Sequence, residues 1–274
     1  MIYYLFRLFY VLGNLKLLSK IWWLFYYLDF KRKKIVFKNL NIAFPELSDK
    51  EKIKLAKNTY KNFAIFFEDI IDFTKHPENL NTVTIINEHI IKEALKTKKP
   101  IIIMSAHFGN WELAPKLIAE KYTPIAVIMR KIDNDKINDF FIKVRSNEKI
   151  KIIYRNSAAK EILKTLVKEK LPLGILIDQY SRSDNAVTVK FFKPTKFNPA
   201  ISKLAKATNA IVIPTFSYKQ NEKYILEFKQ PKTYDKINDN IESFTQWQAS
   251  VIENMIKKHP DQYYWFHNRW KDSE

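Results

Sequence analysis

Six short apolar runs fix most of what this chain can fold into: Ile101 to Met104, Ile125 to Met129, Ile152 to Tyr154, Leu173 to Ile177, Ile211 to Phe216 and Tyr224 to Phe228. β-Branched and aromatic residues dominate them, as expected of strands. Helical patterns at about 88–97, 112–121, 134–147, 157–169, 199–207 and 240–258 separate most of the runs. This alternation predicts an α/β fold with a largely covered sheet. A lysine-rich helix is expected at about 49–72, after the break at Pro45 to Ser48. Ser48 would cap it, with Glu51 three residues on. No repeat, low-complexity tract or long linker interrupts the chain, and 274 residues with 46% apolar content suffice for one large domain. The expected organisation is a single mixed-sheet α/β domain with flanking helices over residues 31–274, preceded by a hydrophobic segment at 1–30.

That first segment is unusual. Ten of its first 28 residues are Phe, Tyr or Trp, and its uncharged runs, Leu8 to Leu15 and Ile21 to Leu28, fall short of a membrane span. It lacks the small-residue cleavage site of a secretory signal. Trp and Tyr favour headgroup depth, so it reads as a membrane-associated helix lying in the interface or dipping into it, against the alternative of a buried core helix. Lys31, Arg32, Lys33 and Lys34 follow at once; between Lys31 and Lys61 ten basic residues face three acidic ones. A basic stretch beside an aromatic one suits an anionic membrane surface.

The whole chain carries a net charge of +18. Such a balance calls for an anionic partner. Nucleic acid is the weaker reading, because no zinc, helix-turn-helix or RNP-like signature accompanies the charge. Cysteine is absent, which excludes disulfides, thiolate nucleophiles and cysteine metal sites. No His-rich cluster or glycine-rich phosphate loop is present, so neither a metal nor an organic cofactor is expected.

One of only three glycines lies in MSAHFGNWE, residues 104–112. His107 follows the first apolar run, Gly109 and Asn110 supply a turn, and Pro115 places a helix start near Trp111 or Glu112. His107 therefore lies beyond the C-terminal end of a strand, where α/β sheets bind ligands. On a continuous helix His107 and Glu112 would point some 140° apart; a turn at Gly109-Asn110 lets them meet. A carboxylate on one imidazole nitrogen leaves the other basic, the base-and-orienter arrangement of acyl-transfer sites. The spacing alone is weak. About 0.5 such pairs are expected by chance, and a second, His267 with Asp272, lies near the chain end without a strand–turn–helix frame. A histidine satisfied by backbone is the plain alternative.

Several stretches together resemble the bacterial lipid A biosynthesis (lauroyl/myristoyl) acyltransferases, whose fold is shared with glycerol-3-phosphate acyltransferases. SAHFGNWE resembles that family's His-x4-acidic block. NLNIAFPELSDKEK, IMRKIDND, LGILIDQ, VKFFKP, LAKATNAIVIP and HPDQYYWFHNRWK resemble further segments in the same order, from about residue 30 to 271. Lys193 stands where the family usually has glycine, and Phe197-Asn198-Pro199 replaces its usual link.

The resemblance implies an enzyme that moves a fatty acyl chain from an acyl carrier protein thioester to a hydroxyl of an acylated glucosamine disaccharide, at the cytoplasmic face of a bacterial inner membrane. A related enzyme acting on a lysophospholipid or another glycolipid is the alternative, and a non-enzymatic basic protein binding membrane or nucleic acid the remote one. His107 and Glu112 would be catalytic, His107 as general base and Glu112 as its orienter. Arg130, at the end of a strand, would contact phosphate or substrate, with Arg145 and Arg155 as helpers. Oxyanion donors would be Arg130 or the amides near Gly109 and Asn110. Asp178 ends another strand and would bind the sugar, hold an arginine or cap a turn. Ser105 is poorly placed to compete as a nucleophile. Trp265, Phe266 and Trp270 read as core or membrane-facing. Acyl carrier protein, the lipid A precursor and anionic membrane lipid are the expected partners.

Overall fold

The computed structural model describes residues 8, 10–132, 134–135, 138–139, 142, 145, 148–154 and 158–271. Its centre is a sheet in the strand order β1-β9-β8-β2-β5-β3-β4. These are β1 (Thr84–Ile86), β2 (Ile101–Ser105), β3 (Ile125–Met129), β4 (Ile150–Tyr154), β5 (Leu173–Leu176), β8 (Ile211–Gln220) and β9 (Lys223–Phe228). The strands β4, β3, β5, β2 and β8 run parallel, so their C-terminal ends share one edge. β9 returns antiparallel to β8, a short β10 (Lys232–Thr233) pairs with β8, and β6 (Val187–Phe191) and β7 (Lys193–Phe197) form a separate hairpin.

All six apolar runs of the sequence are strands. β1, β10 and the β6–β7 hairpin were not legible as such: the first two have three and two residues, too short for an alternation to show.

β2 explains the layering. All five of its residues are buried, and they divide between two cores. Ile102 and Met104 face the one containing Phe191, Phe197, Phe216, Trp265 and Trp270. Ile101 and Ile103 face the other, with Leu113, Leu117 and Ile118. Helices α4 (Glu88–Lys96) and α5 (Leu113–Lys121) supply that second layer; α7 (Ala200–Thr208), α8 (Ile241–Lys258) and the C-terminal stretch supply the first. The expected helix at 157–169 is α6 (Ala158–Leu163) continued by a π turn at Lys164–Lys168. Most of the one expected at 134–147 lies outside the described residues.

The N-terminal layer comprises α1 (Leu18–Leu28), α2 (Phe30–Ala43) and the long α3 (Asp49–Lys75). α1 lies against α3: Leu18 and Tyr26 are buried, and the Ser19 amide donates to Glu68 Oε1 at 2.8 Å. Trp23, Tyr27, Leu28 and Phe30 remain exposed. Among the described residues no helix is long and apolar enough to cross a membrane. α3 starts where the sequence placed it. Ser48 Oγ accepts from the Glu51 amide, Glu51 accepts from the Ser48 amide, and the two orphan donors are satisfied reciprocally. Ser48→Ala should lower the unfolding free energy by about 1 kcal/mol, read from urea denaturation followed by circular dichroism, with the helix content of the native state unchanged.

Candidate active site

β2 and β5 are parallel neighbours in a register that sets Ser105 opposite Leu176. Two residues beyond, the same register sets His107 beside Asp178. The contact is direct: His107 Nδ1 lies 2.8 Å from Asp178 Oδ1, and the His107 amide donates to that oxygen at 3.0 Å. The carboxylate is buried, whereas the imidazole is 21% exposed. Burial pushes the Asp178 carboxyl upward, but the His107 ring charge and the two His107 hydrogen bonds outweigh it and hold it below the ordinary carboxylate range. An ionised Asp178 fixes the ring as the Nδ1–H tautomer and leaves the Nε2 lone pair free to accept a proton. Gln179, exposed, places its side-chain nitrogen 3.4 Å from that Nε2.

Glu112 sits elsewhere. Arg145 Nε donates to both of its oxygens at 2.9 and 2.8 Å, a second guanidinium nitrogen donates at 2.5 Å, and the Trp111 indole adds a bond of 3.2 Å. The expected pairing of Glu112 with His107 is thus replaced by two separate pairs, His107–Asp178 and Glu112–Arg145. The turn at Gly109 does form, but it delivers Glu112 to the helix start, where a planar guanidinium offers a fork of donors that an imidazole cannot match. Asp178, expected at the substrate or on an arginine, is 2% exposed and lies behind the ring.

The turn itself is clamped. Gly109 has φ +56°, and a Cβ there would stand 2.0 Å from the Ser217 carbonyl oxygen. Its amide donates to Gln262 O at 2.8 Å and the Asn110 amide to Ser217 O at 2.9 Å. Both amides are therefore engaged, which removes them as the expected oxyanion donors. The Asn110 side chain is buried, and neither of its amide atoms has a hydrogen-bond partner. Arg130 is exposed at the end of β3, on the same sheet edge. Ser105 is buried within β2. Arg155 and Asp272 lie outside the described residues.

Aromatic side chains wall the imidazole. Its centroid lies 5.2 Å from the Trp111 ring and 6.0 Å from Tyr264, and Trp111 stacks on Phe66 of α3 at 4.0 Å. Arg32 of α2 donates to the Tyr264 hydroxyl at 3.2 Å. Among the described residues no cluster of His, Asp and Glu could hold a metal ion.

This arrangement can be compared with known proteins. The family model of the bacterial lipid A biosynthesis acyltransferases matches residues 13–272. The chain belongs to this family. It is 24% identical over 248 residues to the lipid A biosynthesis lauroyltransferase of Escherichia coli K12, covering 88% of this chain and 79% of that protein. It is 22% identical over 235 residues to lipid A biosynthesis acyltransferase 2 of Shigella flexneri, covering 83% and 74%. Among solved structures, the 1-acyl-sn-glycerophosphate acyltransferase of Thermotoga maritima aligns over 89% of this chain and 96% of its own, with 15% identity and a TM-score of 0.42.

In this acyltransferase the C-terminal stretch completes the site, a role its sequence did not announce. The Tyr264 amide donates to His107 O at 2.9 Å, and Phe108 pairs with Tyr263. His267 accepts the Tyr180 amide on Nε2 at 3.1 Å, and burial pulls its pKa down to about 4. Arg269 is buried, donates to Thr195 Oγ1 at 2.8 Å and covers the Phe197 ring at 4.2 Å. Trp265, Phe266 and Trp270 are core residues, as expected. The signal was the density of aromatic and cationic groups in HPDQYYWFHNRWK, which points to burial but not to a neighbour.

Two outcomes follow. Gly109→Ala, overlapping backbone and strained at positive φ, should lose both thermal stability and acyl transfer; a variant with unchanged melting temperature would contradict the clamp. The second concerns His267. Its folded-state pKa lies below the ordinary value near 6.5, so the unfolded chain binds the extra proton first. The stability His267 contributes is complete above pH 6.5 and falls as pH drops toward about 4. Denaturation across that window should show a smaller loss in His267→Gln than in the wild type.

Proposed function

We propose that the enzyme transfers a fatty acyl chain from an acyl carrier protein thioester to a hydroxyl of an acylated glucosamine disaccharide, with His107 as general base and Asp178 as the residue that holds it. The observation that carries this reading is the orientation of one ring: Nδ1 on a buried carboxylate and Nε2 at the open edge, between Gln179, Trp111 and Tyr264.

The chemistry is direct transfer. A sugar or acyl-chain hydroxyl is a poor nucleophile until its proton leaves. Nε2 takes that proton as the oxygen attacks the thioester carbonyl, and the carbonyl π electrons move onto oxygen. When the tetrahedral intermediate collapses, the C–S bond breaks and the departing thiolate recovers a proton from the imidazolium. Asp178 stabilises the imidazolium throughout, without taking the proton itself. No covalent acyl-enzyme is needed. Glu112 acts at a remove in this scheme, by holding Arg145 and the Trp111 indole that walls the ring.

Charge and surface support the partners. The precursor carries phosphates, acyl carrier protein is acidic, and the net charge of +18 suits both. Trp23, Tyr27 and Leu28 are exposed on α1, and α2 carries a groove lined by Phe30, Lys33, Lys34, Phe37 and Lys38, with Lys33 lying over the Tyr27 ring. Aromatic and basic groups on one surface suit the anionic cytoplasmic face of an inner membrane, with Arg130 left exposed to meet a phosphate.

Purified enzyme, an acyl carrier protein thioester and a tetra-acylated disaccharide provide the assay. His107→Ala and Asp178→Asn should each lower kcat by about 10²–10⁴-fold, and mass spectrometry of lipid A with and without the enzyme should differ by one acyl group. Undiminished transfer in both variants would refute the mechanism; unchanged lipid A with an altered phospholipid would move the enzyme to another acceptor.

A further inference from the structure

We infer that Gln179 is a catalytic residue of this site, its side-chain amide donating to the oxyanion that forms on the thioester carbonyl. The inference rests on His107 acting as the general base.

The geometry starts with the second and third residues beyond β5. Asp178 turns inward and is 2% exposed; Gln179 turns outward and is exposed. They flank the imidazole from opposite sides, Asp178 on Nδ1 and Gln179 on Nε2. With the ring proton on Nδ1, the Nε2 lone pair accepts, so Gln179 presents its NH₂ group there and not its carbonyl oxygen. At 3.4 Å the contact is long, and the side chain is exposed. An incoming hydroxyl can take over Nε2, which releases the amide beside the carbon under attack.

Four other donors near the turn are engaged, and the Asn110 side-chain amide, which has no partner, is buried. The Gly109 and Asn110 amides serve Gln262 O and Ser217 O, the Trp111 indole serves Glu112, and the Arg145 guanidinium is forked onto Glu112. Among the described residues Gln179 is the one whose side-chain donor already lies on the reactive nitrogen. An oxyanion so placed forms within reach of that amide, because the attacking hydroxyl donates its proton to Nε2 while its oxygen bonds the carbonyl carbon. Gln179 exchanges no proton and forms no covalent bond. It stabilises charge that exists only in the transition state, so its effect belongs in kcat and not in KM.

The test uses the full-length enzyme, with wild type, His107→Ala, Gln179→Ala and the near-isosteric Gln179→Glu, assayed with an acyl carrier protein thioester over a range of pH. Gln179→Ala is expected to lower kcat by about 10²–10³-fold while KM for the thioester stays within about twofold. Gln179→Glu, whose carboxylate offers no amide donor, should not restore kcat. The side chain is exposed, and melting temperatures are expected to match the wild type. Wild-type kcat in Gln179→Ala, or a raised KM with kcat unchanged, overturns the assignment while a His107-dependent wild type leaves the base intact. Wild-type activity that survives His107→Ala removes the base and this assignment together.

Discussion

The contact on which the site depends is made by two neighbouring strands. β2 and β5 end in register, and the next residues but one are His107 and Asp178. A buried carboxylate keeps its charge only if donors and a partner compensate for lost water. Here the backbone amide and the ring of the same histidine do so. The pair is therefore a consequence of sheet pairing: moving either strand by one residue would turn one of the two side chains to the opposite face. The turn that follows is fixed from both flanks, by Ser217 of β8 and by Gln262 of the C-terminal stretch. Glycine is demanded at residue 109 for the same reason, since the Ser217 carbonyl occupies the space of a side chain.

How much of this was legible follows from the range of each interaction. Local signals read correctly. The apolar runs are strands, Ser48 and Glu51 form their capping box, and Pro115 marks the start of α5, whose first residue is Leu113. His107 was rightly placed beyond a strand at the C-terminal edge. What failed was the partner. Glu112 lies five residues from His107, and proximity in sequence suggested proximity of side chains. Nothing in the sequence states that β5, some 70 residues later, is β2's neighbour. Both acids stand out in the sequence, and an arginine is among the partners it leaves open to Asp178. The structure exchanges their roles: Glu112 takes the arginine and Asp178 the histidine. The C-terminal residues Tyr264 and His267 escaped for the same reason, because their contacts to His107 and Tyr180 span more than 80 residues.

The separation into two pairs has a chemical consequence. Had a single carboxylate served both the imidazole and the guanidinium, its charge would have been divided between them. With Glu112 paired to Arg145, no guanidinium competes for Asp178, whose carboxylate serves the ring and the buried Tyr263 hydroxyl. The aromatic wall of Trp111, Tyr264 and Phe66 then excludes water from one flank of the imidazole while Gln179 leaves the other open. The N-terminal layer contributes to that wall through α3 and, by the Arg32 bond to Tyr264, through α2. The same helices carry the exposed aromatic and lysine residues, so the surface proposed to meet the membrane and the mouth of the site belong to one packed unit.

The most direct test of the central claim is nuclear magnetic resonance of the His107 ring with ¹⁵N-labelled histidine, near neutral pH. The account requires the Nδ1–H tautomer with a low-field ring proton, retained in Glu112→Gln and lost in Asp178→Asn. A low-field proton that survives Asp178→Asn and disappears in Glu112→Gln would show that the orienting carboxylate is the one next in sequence, and the strand-pairing account of the site would be wrong.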